Sequence, residues 1–379
     1  MKKVFPSLLV FISGHGYGHA SRMRHLLKSL KEKAPSLKII AVGTFPSRFV
    51  TFKDSNNPGL HIHLRHDVGV VQSDFITMDL DQTFNEIQLL EKHKPEIINE
   101  FLTRIADHSP FSVISDSSSF AFRIAQKLHI PGFFIGNFTW LDIYRGFAGL
   151  DKRFSALLPR LEEEYLMAEE CWQLPLHTDM APFQPEQTLS MPLLAPSPSS
   201  MTEKEWANWT GLSYPQKRKV ILLSYGGYDF DRLPMEAISG LQKEFIFLTT
   251  TKLRNKRHPE NLIPLTVSTL PYQGLIKYCD AVMTKPGYGI LSDCLVERKP
   301  IIYTERGLFA EYEILKNWLE SSYPSVFLSG KDFISGSWME ALKKGLSLLP
   351  LFPSMELNGG EVMAKKILKH ACLQNEPAS

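Results

Sequence analysis

Ser13-Gly14-His15-Gly16-Tyr17-Gly18-His19-Ala20-Ser21-Arg22 follows the apolar run Leu8-Leu9-Val10-Phe11-Ile12 and precedes Met23, Leu26, Leu27 and Leu30. Those last residues recur at i, i+3, i+4 and i+7, the period of an amphipathic helix, with Lys and Arg on the other face. The order is therefore strand, glycine turn, helix. Glycine lacks a Cβ, so backbone N–H groups can converge on a ligand and the chain can take positive φ before the helix begins. A second turn of this kind, Lys285-Pro286-Gly287-Tyr288-Gly289, lies in the other half between a strand at Ala281–Thr284 and a further helix. One such device per half predicts two α/β halves that close on one polar, phosphorylated ligand.

The rest of the chain fits that plan. Its 379 residues are too many for one ordinary core and suggest two domains of roughly 180 residues each. Strands are expected at 38–43, 111–115, 132–135 and 171–175, with helical patterns at 82–107, which Pro95 should kink or divide, and at 154–170. Prolines and serines between Met191 and Glu205 mark a linker, so an N-terminal domain over 1–192, a linker over 193–205 and a C-terminal domain over 206–379 are expected. The second half repeats the rhythm with strands at 220–224, running into Gly226-Gly227, and at 245–250, 281–284 and 301–304. A final helix over 360–372 is long enough to reach back across the boundary. In such folds ligands sit at the carboxyl edges of the sheets, where both glycine turns would lie.

Composition narrows the function classes. With 42 basic against 40 acidic side chains the net charge is +2, which gives no basic stripe for nucleic acid. The four cysteines, Cys171, Cys279, Cys294 and Cys372, form no C-x-x-C pair and read as reduced thiols of a cytoplasmic protein. The N-terminal apolar run is broken by Pro6 and leads straight into the glycine turn, so it reads as a strand and not a signal peptide. No run approaches the roughly 20 apolar residues of a membrane helix, which leaves peripheral membrane contact open. His61, His63 and His66 lack a positioned carboxylate or cysteine and read as a surface loop, so no metal is assigned. Asp79-x-Asp81 and Asp229-x-Asp231 are short acidic pairs without a supporting context. The glycine spacing is not G-x-G-x-x-G and no G-x-x-x-x-G-K-[ST] loop is present, so neither a nicotinamide cofactor nor phosphoryl transfer is expected; no cofactor is assigned.

Several stretches carry a resemblance: residues 13–22, Gly69-Val-Val-Gln-Ser-Asp74, Asn137-Phe-Thr-Trp-Leu-Asp-Ile-Tyr144, Lys285-Pro-Gly-Tyr-Gly-Ile-Leu-Ser-Asp293 and Asn358-Gly-Gly-Glu-Val362. In order and over nearly the whole chain, they resemble glycosyltransferases of the type called GT-B, with two Rossmann-like domains facing a cleft. They are most similar to the glycosyltransferase-like domain that precedes the sugar-kinase domain of plant L-arabinokinases. The resemblance implies transfer of a sugar from a nucleotide-diphosphate sugar to an acceptor hydroxyl, without an obligatory divalent ion.

It also assigns residues. His19 takes the place of the base or an acceptor-binding histidine, and Asp116, after the strand at 111–115, would orient it or replace it. His15, Gly16, Arg22, Asn137 and Trp140 fall on the acceptor side. Gly226, Gly227, Lys285, Gly287, Tyr288, Gly289, Ser292, Asp293, Glu305 and Glu311 fall on the donor side, with Ser292 near phosphate and Asp293, in place of the usual Glu, near the ribose. The residues themselves leave open whether the histidines move a proton or satisfy a helix start. They also leave open nucleotide-sugar epimerisation on the same fold, or nucleotide-sugar binding without catalysis.

Overall fold

A computed structural model describes residues 7–51, 59–72, 77–225, 233–251, 253, 257–266, 272–307 and 309–373. Gly226 and Gly227, with Tyr228, Asp229 and Asp231, lie outside the described residues, as does the side chain of Cys372.

The run 8–12 forms the centre of the first sheet. Strand β1 (Ser7–Ile12) is buried along its whole length. Leu8, Val10 and Ile12 enter one core and Leu9 and Phe11 another, the two-residue period of a strand with a helical layer on each face. Around it stand β2 (Lys38–Val42), β3 (Leu60–Ile62), β4 (Pro110–Asp116), β5 (Gly132–Gly136), β6 (Glu170–Gln173) and β7 (Thr188–Ser190). Their order is β3-β2-β1-β4-β5-β6-β7 and every pairing is parallel.

The second half repeats the design with β8 (Lys219–Ser224), β9 (Phe245–Thr249), β10 (Leu262–Pro264), β11 (Ala281–Thr284), β12 (Ile301–Tyr303) and β13 (Ser325–Phe327). The order is β10-β9-β8-β11-β12-β13, again all parallel. In each sheet the winding reverses beside the first strand, between β1 and β4 and between β8 and β11. Such reversals open a crevice at the carboxyl ends of the strands. The two crevices face each other.

The helix Tyr17–Lys33 buries Ala20, Met23, Leu26, Leu27 and Leu30, the face that its spacing marked. The helix Gly359–Leu373 packs on it, placing Met363, Ala364 and Ile367 in the core of the first lobe. Residues 191–202 hold no helix and only an isolated bridge, Leu194 to Asn358. Leu194 packs into the first lobe, whereas Leu193, Ala195 and Met201 pack into the second.

Some expectations change. Pro95 does not divide the helix Leu80–Arg104, which runs through it with the proline on the exposed face. The helical pattern over 154–170 is shorter and begins with a 3-10 turn at Lys152–Ala156, followed by a helix at Leu158–Tyr165. Asp79 caps the helix it precedes through the Gln82 amide, and Asp81 pairs with Arg153, so this acidic pair is structural. His66 is not on a surface loop. It is buried, with Nδ1 bonded to Ser118 Oγ at 2.9 Å and Nε2 to the Ile12 carbonyl at 3.1 Å, which ties the ends of β1 and β4 together.

Candidate active site

The first glycine turn leaves β1 at Ser13 and enters its helix at Tyr17. Gly16 takes φ 73°, a left-handed value that favours glycine, and the helix start carries no side-chain cap. The second turn leaves β11 and enters the helix Tyr288–Glu297, whose start at Gly287 is likewise uncapped by a side chain. Uncapped N–H groups at a helix start attract anions. Gly18 and Gly289 face one another across the seam, so the two helix starts converge. Between them lies a cleft of about 200 Å³ bounded by His15, His19, Ser224, Lys285, Tyr288 and Arg306 among others.

On the first-lobe side, His19 Nδ1 lies 3.1 Å from Asp116 Oδ2, at the carboxyl end of β4. Arg22 Nη2 also lies 3.3 Å from Nδ1, but it donates to Asp116, and a carboxylate only accepts, so Nδ1 donates to Asp116 and in the neutral ring Nε2 keeps its lone pair. Asp116 is fully buried and its second oxygen pairs with Arg22 Nη2. Burial alone would raise its pKa, but the charges of Arg22 and His19 outweigh that and hold it below the usual carboxylate range. Arg22 Nη1 donates to Asn137 Oδ1 at 2.5 Å, and Asn137 Nδ2 donates to the Pro175 carbonyl at 2.6 Å. The residue after Asp116, Ser117, is held at φ 68°, with its carbonyl accepting from Tyr165 Oη at 2.6 Å. A non-glycine residue in this region stores strain, and here it ends the strand that carries the carboxylate.

His15 stands beside this group. Its Nδ1 accepts from the Val70 amide at 3.3 Å. Burial, then the nearby His19, Arg306 and Lys285, lower its pKa to about 3, so it stays neutral across the physiological range. Trp140 backs both rings, at 5.3 Å from His15 and 6.3 Å from His19, with Nε1 donating to Asp67 Oδ2 at 3.0 Å.

On the second-lobe side, burial and the Arg306 charge bring the Lys285 pKa down to about 7. Arg306 Nη1 donates to the Pro286 carbonyl at 3.0 Å and Nη2 lies 3.2 Å from Glu311 Oε1. Glu311 is fully buried, and neither oxygen has a hydrogen bond among the described residues. Lys285, Arg306 and the second turn therefore share one wall of the cleft, with Glu311 buried behind Arg306 and paired with it.

The structure brings His15, Gly16, His19, Arg22, Lys285, Gly287, Tyr288 and Gly289 to the cleft. Asn137 and Trp140 do not offer the expected acceptor contact, because both are buried behind the histidines and hold Arg22 and Asp67 respectively. Tyr288 is a bridge between lobes: its hydroxyl donates to the Leu176 carbonyl at 2.7 Å and its ring stacks on Phe138 at 6.5 Å. Ser292 Oγ donates to the Gly289 carbonyl of its own helix at 2.8 Å. Asp293 is partly buried near Glu297; burial and that charge push its pKa up to about 7. Glu305 is engaged elsewhere, accepting from the Gly330 amide at 2.6 Å.

Sequence reasoning passed over Arg306, Asp67 and Val70. Arg306 was signalled by its place beside Glu305 and Val70 by the stretch 69–74, but Asp67 sits in an irregular loop with no pattern to mark it.

No protein-family model matches the chain. It is 25% identical over 374 residues to L-arabinokinase of Arabidopsis thaliana, an alignment covering 97% of this chain and 35% of that protein. The chain thus spans about a third of that relative's length. Among solved structures it is similar to the calicheamicin glycosyltransferase, with a TM-score of 0.62, 13% identity and coverage of 98% of this chain and 95% of the other. The spinosyn rhamnosyltransferase complexed with thymidine diphosphate matches with a TM-score of 0.59 and 11% identity, over 97% and 96% of the two chains. The fold is the GT-B glycosyltransferase fold, and both resemblances drawn from the motifs hold.

Proposed function

We propose that this protein transfers a sugar from a nucleotide-diphosphate sugar to an acceptor hydroxyl. The observation that carries the reading is the confrontation across one cleft of a His19–Asp116 pair with a glycine turn flanked by Lys285 and Arg306. His19 Nε2 removes the acceptor proton as the new glycosidic bond forms. Asp116 keeps the ring in the working tautomer and stabilises the imidazolium. The sugar leaves its diphosphate, whose growing charge is met by the second turn, Lys285 and Arg306. These two cations do the work a divalent ion would otherwise do, so the reaction is read as metal-independent. Glu311, buried behind Arg306, holds that guanidinium against the cleft wall. Solved relatives of this fold act on sugar donors, and one holds thymidine diphosphate. The donor domain is read as 206–379 and the acceptor domain as 1–192.

A thermal-shift screen of nucleotide sugars tests the reading, since a ligand at 100 times its Kd stabilises by about 2.7 kcal/mol. Hits are then assayed for donor consumption. An enzyme that consumes the donor only with an acceptor fits transfer. Donor binding with no turnover across an acceptor panel would sink catalysis and leave a nucleotide-sugar-binding protein.

A further inference from the structure

His15 sits at the seam of the two lobes. Its ring lies 5.3 Å from Trp140 of the first lobe and 5.8 Å from Phe309 of the second, and the Arg306 guanidinium covers that same Phe309 ring at 4.8 Å. A backbone amide can only donate, so the 3.3 Å bond from the Val70 N–H to Nδ1 leaves the imidazole proton on Nε2. No described residue bonds Nε2, and His15 lines the cleft. The clamp is built for this ring: Gly69 has φ 67°, and a Cβ there would strike the His15 ring at 2.6 to 2.7 Å. Tyr144 Oη holds the Gly69 carbonyl at 2.9 Å, and Asp67 joins the Gly14 amide at 3.4 Å to Trp140 at 3.0 Å. Burial and neighbouring cations keep the ring neutral.

We propose that His15 is a fixed hydrogen-bond donor to the diphosphate of the donor substrate, its Nε2–H reaching from the first lobe to the anion held by Lys285 and Arg306. The inference rests on the nucleotide-sugar reading above. His15 and His19 then have opposite tautomers and opposite tasks. His19 Nε2 accepts a proton, whereas His15 Nε2–H donates a hydrogen bond. A donor aimed at the acceptor hydroxyl would blunt its attack, while one aimed at the leaving diphosphate meets charge as it grows. His15 belongs with the donor site and not, as the resemblance implied, with the acceptor.

Inorganic pyrophosphate, UDP, TDP, GDP and ADP are titrated calorimetrically into the full chain and into His15→Gln, His15→Asn and His19→Ala. The Gln amide nitrogen can reach the place of Nε2; that of Asn cannot. Expected results are a loss of about tenfold or more in pyrophosphate and best-nucleotide affinity for His15→Asn, with His15→Gln within about threefold of wild type and His19→Ala within about twofold. Nitrogen NMR of the wild type should show His15 as the neutral Nε2–H tautomer from pH 5 to 8, its Nε2 resonance moving on pyrophosphate addition. Undiminished binding by His15→Asn overturns the inference and leaves the cleft's donor role standing. Equal loss in Gln and Asn variants, each with a lowered melting temperature, reduces His15 to packing and also overturns it. Should none of the probes bind wild type, the nucleotide-sugar reading falls and takes this inference with it.

Discussion

The two glycine turns occupy equivalent places in two equivalent sheets, yet they are built for different partners. The first is held by an ion pair, a backbone amide and a ring: Asp116 and Arg22 fix His19, while the Val70 amide and Trp140 fix His15. Its Gly16 must be glycine because φ 73° with ψ 178° is a conformation essentially closed to residues with a Cβ. The second is held beside cations, and its Gly287 has φ −165°, extended backbone that any residue adopts. A Cβ on Gly287 would meet only Arg306 Nη1 at 3.5 Å, an ordinary contact. Gly16 thus serves the chain's conformation, while Gly287 leaves open space beside Arg306. Under the proposed function, equal sequence signals conceal a proton-handling site and an anion-handling site.

The sharpest way to break this contrast is at His19. Replacing it with Ala should lower kcat by about 100- to 10,000-fold while nucleotide affinity by calorimetry stays within about twofold. A parallel loss of affinity would merge the two sites into one. Asp116→Asn should slow turnover comparably and also lower unfolding free energy by about 3–5 kcal/mol in denaturant titrations, because Arg22 is left buried without its partner.

On the anion side, Lys285→Met should weaken pyrophosphate binding by about 10- to 100-fold. The sign with pH follows from its pKa of about 7 in the empty cleft. Its charge is complete at pH 6 and lost as pH rises through 7, and a bound anion draws the proton back. Wild-type affinity should therefore fall by up to about tenfold per pH unit above 7, and Lys285→Arg should flatten that slope. If the two cations serve in place of a divalent ion, turnover should persist in EDTA; a complete loss restored by Mg2+ would contradict it. The smallest effect separates the glycines. Gly16→Ala should cost about 1–3 kcal/mol of stability, whereas Gly287→Ala should stay within about 0.5 kcal/mol of wild type by thermal melts.

Both turns, the helix after the first and the buried strand before it were legible because each rests on local chemistry: glycine at a close approach, apolar residues at a fixed period. His19, Lys285 and Gly289 could be named for the same reason, being attached to those turns. The pairing of His19 with Asp116 could be suggested from a strand end but not its 3.1 Å geometry, which depends on β1 and β4 lying side by side although 97 residues separate the partners. Trp140 and Asn137 were read as facing a sugar because an aromatic beside an amide suits one, yet the fold turns them inward. Ser292 and Glu305 carry the right groups but spend them on Gly289 and Gly330.

The sequence by itself determined the α/β rhythm, the two turns and the residue types near them, since periodicity and backbone freedom are properties of a few neighbouring residues. Only the tertiary structure decided which nitrogen of each histidine is free, which carboxylates are already occupied, and that Arg306 and Lys285 share a wall. Those outcomes depend on partners distant in the chain, and on the burial that lowers the Lys285 pKa and keeps His15 uncharged.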